Sequence, residues 1–451
     1  MQKNVIISGG KMYFNALLKG RSSCSCGMNH QCSTEAVIIK EGAVDYISSL
    51  CGQYGAWSVI TVFDSNTFGV CGRRVNAQLE NAGINHRCLV YEGEGLLVPD
   101  EAAVRQLEEK LLPETELIIG VGSGVINDIC KYTAGTHNIP YIIVATAPSM
   151  DGYASTGAAM IFDGRKVTVN VTAPKAILGD TNILASAPID MIRAGLGDMI
   201  GKLSALNDWR LSSLITGEHF CTFTHDLVLE AAENAIAGTE SIINRDKNSI
   251  NKLMEGLVAV GIAMSYMGNS RPASGSEHHL SHFYEVVSLI RGREYLLHGI
   301  DVAFSTAVTC FLRHKLKECD VNDLCYRYDK TAWEKNIRHI YGGTAQGIIS
   351  MQERSGLYNN HNLNIIKRNW ESVKELLGET PGFNEVTDIL SGAGLDIRAF
   401  FDLYGSKTIR DSIVYAKDLK ERYSVLWLLA DTGLLEKVAD EFQKYLISLG
   451  N

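Results

Sequence analysis

Proline is scarce, with 8 residues in a chain of 451, so long stretches can run as unbroken helix and no proline-rich linker or recognition tract is present. A surplus of positive charge is also missing: 42 Lys and Arg stand against 51 Asp and Glu, a formal net charge of −9. Without a basic surface, duplex binding lacks its main driving force, and no nucleic-acid partner is expected. No apolar run approaches the ~20 residues a membrane span requires, and no apolar leader-like stretch follows Met1. The 11 cysteines are scattered and odd in number, which fits a reducing compartment better than a disulfide framework. Internal repeats and low-complexity tracts are absent. These absences lead to the expectation of a cytoplasmic globular protein without a membrane span. Hydrophobic residues at 46% and charged residues at 21% supply ordinary cores, and the length suffices for two or three domains.

Three regions divide the chain. Residues 1–35 form a Cys-containing extension in which Cys24, Cys26, His30 and Cys32 are spaced CxCxxxHxC, tighter than the pairs of a zinc ribbon. The extension reads either as a small metal knuckle or as an exposed loop with reduced thiols. Residues 36–185 alternate strand-like and helix-like segments, the signature of a Rossmann-like parallel α/β sheet. Strands are predicted at 36–39, 57–63, 87–91, 117–119 and 141–144, with helices over 43–51, 70–81 and 101–111. After residue 150 the segments 166–171 and 176–178 read as an edge meander. Residues 186–451 show apolar positions recurring at three and four, predicting an all-helical domain with helices over 249–267, 278–289, 300–313, 333–340, 363–377 and 421–429. The boundary is expected between 174 and 188.

In the α/β region, Gly120-Val-Gly122-Ser123-Gly124 follows an apolar strand and opens a helix. Glycines there allow close approach of a pyrophosphate, whose charge the helix N-terminus stabilises; a tight turn without a ligand gives the same pattern. Asp64, at the end of an earlier strand, has the position from which a carboxylate accepts from a ribose diol in NAD sites, although it also suits a turn. The loop from Ala145 to Ser155 sits at the end of another strand, where ligand crevices form in open α/β sheets. It offers hydroxyls from Thr146, Ser149 and Ser155 and the carboxylate of Asp151, and it equally fits a β-turn built on Pro, Asp and Gly.

The helical region centres on residues 274–298, SGSEHHLSHFYEVVSLIRGREYLLH. Ser274 with Glu277 three residues on reads as a capping box. His278 and His282 share a helix face, with Cβ atoms ~5–6 Å apart, and His298 follows on the next element. With Asp198 of GLGD they make one carboxylate and imidazoles that converge on a divalent cation with positions open for substrate. Asp198 also suits a helix N-cap, and the histidines also suit an idle helix face.

GVGSGVINDICK, TAPSMDGYAS, GLGDMIGK, SGSEHHLSH and LHG occur in the order and spacing of the iron-containing alcohol dehydrogenase and glycerol dehydrogenase superfamily, which the chain resembles from residue 36 to the mid-300s. Within it, TAPSMDG and RPASGSEHxxSH look most like the bacterial glycerol-1-phosphate dehydrogenases. The resemblance implies a dinucleotide-binding α/β domain, an all-α domain and an active site in the cleft between them. It implies a zinc or nickel ion held by Asp198, His278 and His298, with Asp151, Asp198 and His282 at the substrate. Gly120, Gly122, Ser123, Gly124, Thr146, Ser149, Ser155 and Asp64 would contact the nucleotide. His279 adds an alternative imidazole beside His278, and GVGSG departs from the three consecutive glycines of many relatives. The implied activity is NAD(H)-dependent reduction of dihydroxyacetone phosphate to sn-glycerol 1-phosphate by a homodimer, with NADP(H) as the alternative nucleotide. Asp151 and His282 would act in catalysis, His282 or a water at the metal passing the proton. Arg271, Ser274, Ser276 and Lys202 are the expected phosphate anchors. Competing readings are a polyol dehydrogenase, a lyase like 3-dehydroquinate synthase, and a nucleotide-binding protein without catalysis.

Overall fold

The computed structural model describes residues 7–8, 11–12, 14–93, 97–162, 165–359 and 361–449; residues 1–6, 9–10 and 13 of the expected extension lie outside the described residues. The chain packs as two compact units, residues 1–199 with 223–270 and residues 200–222 with 271–451. A single cut near residue 185 therefore does not divide it. Helical periodicity shows that a segment is a helix, and it does not show which core the helix joins.

The first unit holds a six-stranded, all-parallel sheet. Its strands are β1 (Ala36–Lys40), β2 (Ser58–Asp64), β3 (Asn85–Tyr91), β4 (Leu117–Gly122), β5 (Tyr141–Ala145) and, after an antiparallel hairpin of β6 (Gly157–Phe162) and β7 (Arg165–Asn170), β8 (Ala176–Asp180). The order is β1-β8-β5-β4-β2-β3. Residues 176–178 thus belong to an inner strand rather than to an edge meander. Every residue of β4, β5 and β8 is buried, as a parallel sheet covered on both faces demands. The connection after β2 leads outward to β3, while β4 lies on the other side of β2 and leads toward β5. The carboxyl ends of β2 and β4 therefore flank the topological switch point, where open α/β sheets bind ligands.

Four helices of this unit matter below. Helix α1 (Gly124–His137) leaves β4, α2 (Ile189–Thr216) carries the chain into the second unit, and α3 (Thr222–Ala237) and α4 (Lys247–Met267) return to the first. The helix expected over 70–81 starts sooner, at Ser65, because Asp64 caps it by accepting from Thr67 N at 2.8 Å.

The second unit is helical, and α5 (Ser276–Arg291) and α6 (His298–Lys317) organise it. The helix expected over 363–377 is interrupted at Asn369, and that expected over 421–429 is Val425–Asp431. At its centre Arg313 pairs with Asp208 at 2.7 Å, both side chains fully buried. The Asp208 carboxylate also accepts from Ser276 N at 2.7 Å and Val425 N at 2.8 Å. One buried charge pair thereby fixes where α5 starts. Breaking such a pair costs about 3–5 kcal/mol, because the surviving charge is left uncompensated.

Candidate active site

Gly120 and Gly122 lie within β4, and their missing side chains make room for α1. A Cβ on Gly122 would stand 2.6 Å from Ile126 Cβ, and one on Gly120 would stand 2.9 Å from Cys130 Sγ. Their structural work is to seat the helix on the strand, while Ser123 and Gly124 form its N-terminus. Ser123 takes the N-cap position without a side-chain capping bond, so the first-turn N–H donors face the switch point without a hydroxyl cap. Thr146 is buried, its N–H donating to Gly122 O at 3.1 Å, and Ser149 is half-buried.

Ser155 is turned into its own loop. Its hydroxyl lies 3.0 Å from Gly152 O and accepts from Lys131 Nζ at 3.1 Å. Lys131 also donates to Gly152 O at 2.8 Å and Gly157 O at 3.0 Å. Nothing in the local sequence marks this lysine, which lies inside a helix and sends its three donors to residues 152–157. Burial pushes its ammonium down to about 8. One turn earlier, burial raises the Asp128 carboxyl from 3.8 to about 6, with Lys131 opposing. A carboxyl raised in the folded state stabilises the fold in its neutral form, fully below pH ~4, and that contribution is lost as pH climbs through 6. The whole shift is worth at most about 3 kcal/mol, less because 17% of the Asp128 side chain remains exposed. Asp128→Asn should therefore flatten the fall in stability between pH 4 and 7 in urea titrations. Parallel curves for the two proteins would refute the assignment.

Asp151 and Asp198 come together in the first unit. Asp198 lies nine residues into α2, so it is no N-cap. Its Oδ2 accepts from Asp151 N at 3.0 Å, and the two carboxylates lie within 4.8 Å of each other. Two glycines let the loop fit against its helices. A Cβ on Gly195 of α2 would lie 1.8 Å from Pro148 O, and one on Gly261 of α4 would lie 2.8 Å from Asp151 O.

His278, His282 and His298 come together in the second unit, with ring centroids 6.3 Å apart for His278–His282, 5.2 Å for His278–His298 and 5.5 Å for His282–His298. His278 Nδ1 donates to buried Glu277 Oε1 at 2.7 Å, which leaves Nε2 with its lone pair. Burial alone would raise the Glu277 carboxyl, but the bond and charge of His278 outweigh it and hold it at about 2. The Ser281 hydroxyl points its proton to His298 O at 3.4 Å and can accept from His298 Nδ1 at 3.2 Å, again leaving Nε2 as the basic nitrogen. Carboxylate or hydroxyl partners on the far nitrogen are what metal-ligating histidines have, so the donor set fits a divalent ion.

The sequence misplaced the start of this helix. Its N-cap is Gly275, not Ser274, and Glu277 reaches back to Gly275 N at 2.7 Å from the second helical position. His279, next to His278 on the helix, is fully buried, and among the described residues its ring nitrogens make no hydrogen bond. Burial, with Arg422 and Lys420 nearby, pushes it well below its ordinary value, so it is a neutral core residue.

The phosphate anchors also need revision. Arg271 is buried, ion-paired with Glu218 at 2.9 Å and bonded to Tyr423 O at 2.7 Å. The N–H groups of Gly275 and Ser276 are taken by Glu277 and Asp208, so the start of α5 does not offer them to a ligand. Lys202 is fully buried and donates to Ala273 O at 2.9 Å. Arg422, which sequence reasoning did not single out, donates to Ser274 O at 3.0 Å. Burial and the neighbouring Arg271 push it down to about 10.

Residues 38–188 match the model of the iron-containing alcohol dehydrogenase family. A relative from Bacillus licheniformis, a glycerol-1-phosphate dehydrogenase [NAD(P)+], is 30% identical over 92% of this chain and 94% of its own. Another of that name from Halalkalibacterium halodurans is 35% identical over 90% and 95%. The chain belongs to the glycerol-1-phosphate dehydrogenase family. As expected for that family, the fold is shared with iron-containing dehydrogenases of known structure. A probable glycerol dehydrogenase from Sinorhizobium meliloti superposes with a TM-score of 0.61 at 14% identity, covering 92% of this chain and 98% of that one. An iron-containing alcohol dehydrogenase from Thermococcus thioreducens gives 0.62 at 11% identity, covering 92% and 99%. Family membership makes the chain an NAD(P)-dependent, metal-dependent oxidoreductase acting on a small molecule. Among the described residues no helix is long and apolar enough to cross a membrane.

Proposed function

We propose that this enzyme reduces dihydroxyacetone phosphate to sn-glycerol 1-phosphate with NADH, holding one zinc or nickel ion on Asp198, His278 and His298. The substrate rests on the names of the Bacillus licheniformis and Halalkalibacterium halodurans relatives. The chemistry rests on one observation: His278 and His298 both have Nδ1 engaged, leaving Nε2 as ligand atoms. Helix geometry supports adding Asp198 to them. Gly201, three residues on along α2, would bring a Cβ 3.9 Å from His278 Cε1, and residues three apart share a helix face.

A divalent ion held there supplies Lewis acidity toward the C2 oxygen, and the nicotinamide supplies the hydride to C2. The chain does the rest. Ser123 and Gly124 offer the start of α1 to the pyrophosphate, while Thr146 and Ser149 line the adjoining loop. Asp151 orients the substrate hydroxyls and holds Asp198 through its own N–H. His282 hands the C2 oxygen its proton. For the phosphate, Lys202 and Arg422 replace Arg271 as first choice, because the guanidinium of Arg271 is engaged with Glu218 and a dianion relieves the repulsion between Arg422 and Arg271. Such remote binding energy orients the reacting carbon.

The test is dihydroxyacetone phosphate with NADH across zinc, nickel, iron and manganese, with chiral analysis of the product. Turnover of unphosphorylated dihydroxyacetone at the same rate, or a racemic product, would overturn the reading. Asp64, at the switch point, should repel the 2′-phosphate of NADPH. Asp64→Ala is expected to narrow the ratio of kcat/KM for NADH over NADPH, and a wild type that already prefers NADPH would remove the ribose contact. The reading includes a cytoplasmic homodimer. The thiol state of all eleven cysteines supports the compartment, and a monomer by light scattering under assay conditions would contradict the assembly.

A further inference from the structure

The N-terminal cysteines remain outside the reaction. Residues 21–30 close into a loop on paired backbone bonds, Arg21 N to His30 O at 2.8 Å and His30 N to Arg21 O at 3.0 Å. Inside it, Gly27 N donates to Cys24 O at 2.9 Å in a tight turn that Gly27 permits with φ +87°. The loop brings the Cys24 and Cys26 sulfurs and a ring nitrogen of His30 within 4.8 Å of one another. Cys26 Sγ stands 3.4 Å from His30 Nε2, close to the ~3.6 Å that separates a sulfur and a nitrogen on one tetrahedral zinc. His30 Nδ1 donates to Tyr266 O at 3.2 Å, which leaves the Nε2 lone pair directed at the thiols, as ligating imidazoles are fixed. The ring is 1% exposed and packs against Phe223 and Tyr266.

A fourth donor is at hand. Cys221, fully buried, sits two residues before Phe223, and two residues of chain span at most ~7 Å. It immediately precedes α3, where the helix N-terminus favours a thiolate.

We propose that Cys24, Cys26, His30 and Cys221 hold one structural zinc ion. Three thiolates and an imidazole close a tetrahedron with no position left for substrate, so this site has no part in catalysis. Binding releases the three thiol protons. The ion fastens a ten-residue loop that has almost no apolar side chains of its own to the start of α3, in a part of the fold too small to build a core. Soft thiolates select zinc over the harder ions a carboxylate site accepts. Cys32, the fourth member of the sequence pattern, is not in the donor group.

The full-length protein, purified under reducing conditions and loaded with Co²⁺, reports on this site directly. Sulfur-to-cobalt charge-transfer absorption is expected from these donors and cannot come from aspartate and histidine. Wild-type protein should show that band and bind two ions per chain. Cys221→Ser and the double change Cys24→Ser, Cys26→Ser should lose the band and one ion, while Cys32→Ser keeps both. A wild type with no charge-transfer band overturns the proposal without reference to any variant. Loss of the band in Cys32→Ser with its retention in Cys221→Ser would overturn the donor assignment and restore a local knuckle.

Discussion

Asp198→Ala and His298→Ala are each expected to abolish turnover and to lower bound metal by one ion per chain, because each removes a ligand of the ion we propose. The cobalt–thiolate band should persist in both, which separates loss of the catalytic ion from unfolding. His279→Ala should keep its metal, since that imidazole is buried away from the Glu277-held ring of His278. The measurements are metal content and initial rate on the same preparations. A His298→Ala protein with full metal and a normal rate would end the assignment, and loss of metal in His279→Ala would move it to the neighbouring ring.

His282→Gln should lower kcat on the order of 10²–10⁴-fold, the range for a missing general acid–base group, with metal content near normal. The reason is placement. His282 lies one turn from His278 on α5, and its ring stacks 5.5 Å from His298, so it stands beside the ligands we propose. A profile of kcat against pH for both proteins, with metal counted, decides the matter. An unchanged kcat with intact metal would make His282 a packing residue and pass the proton step to water.

The sheet was readable because β4 and β5 are uninterrupted apolar runs bounded by glycine and proline signals, which only a doubly covered parallel strand explains. Residues 176–178 read as an edge meander because a short run following a hairpin carries no mark of where in the sheet it inserts. The grouping of the histidines could be found from spacing, since one helix turn brings His278 and His282 to the same face. Glu277 and Ser281, which orient the rings, were hidden among ordinary helix residues; Glu277 looked like a cap because capping and ring orientation use the same carboxylate. Arg271 looked like an anion anchor, and only the packed structure shows Glu218 against it. Cys221 lies nearly two hundred residues from the cysteines it joins in our proposal, and no local spacing carries that information. Lys131 was missed for the same reason, as two of its three acceptors are backbone carbonyls, which every sequence has everywhere.

Asp198 is held in place by a main-chain donor, the N–H of Asp151. Every amino acid but proline carries that group, so the tether survives nearly any mutation at position 151. Over evolutionary time the loop is then at liberty to vary its side chains, and with them, on the assignment we propose, the alcohol it receives, while the carboxylate keeps its bearing. On the assignment we propose, substrate choice and metal retention are in this way separately heritable. A lineage can drift toward a new substrate by single steps at residue 151 without first passing through a protein that has lost its grip on Asp198.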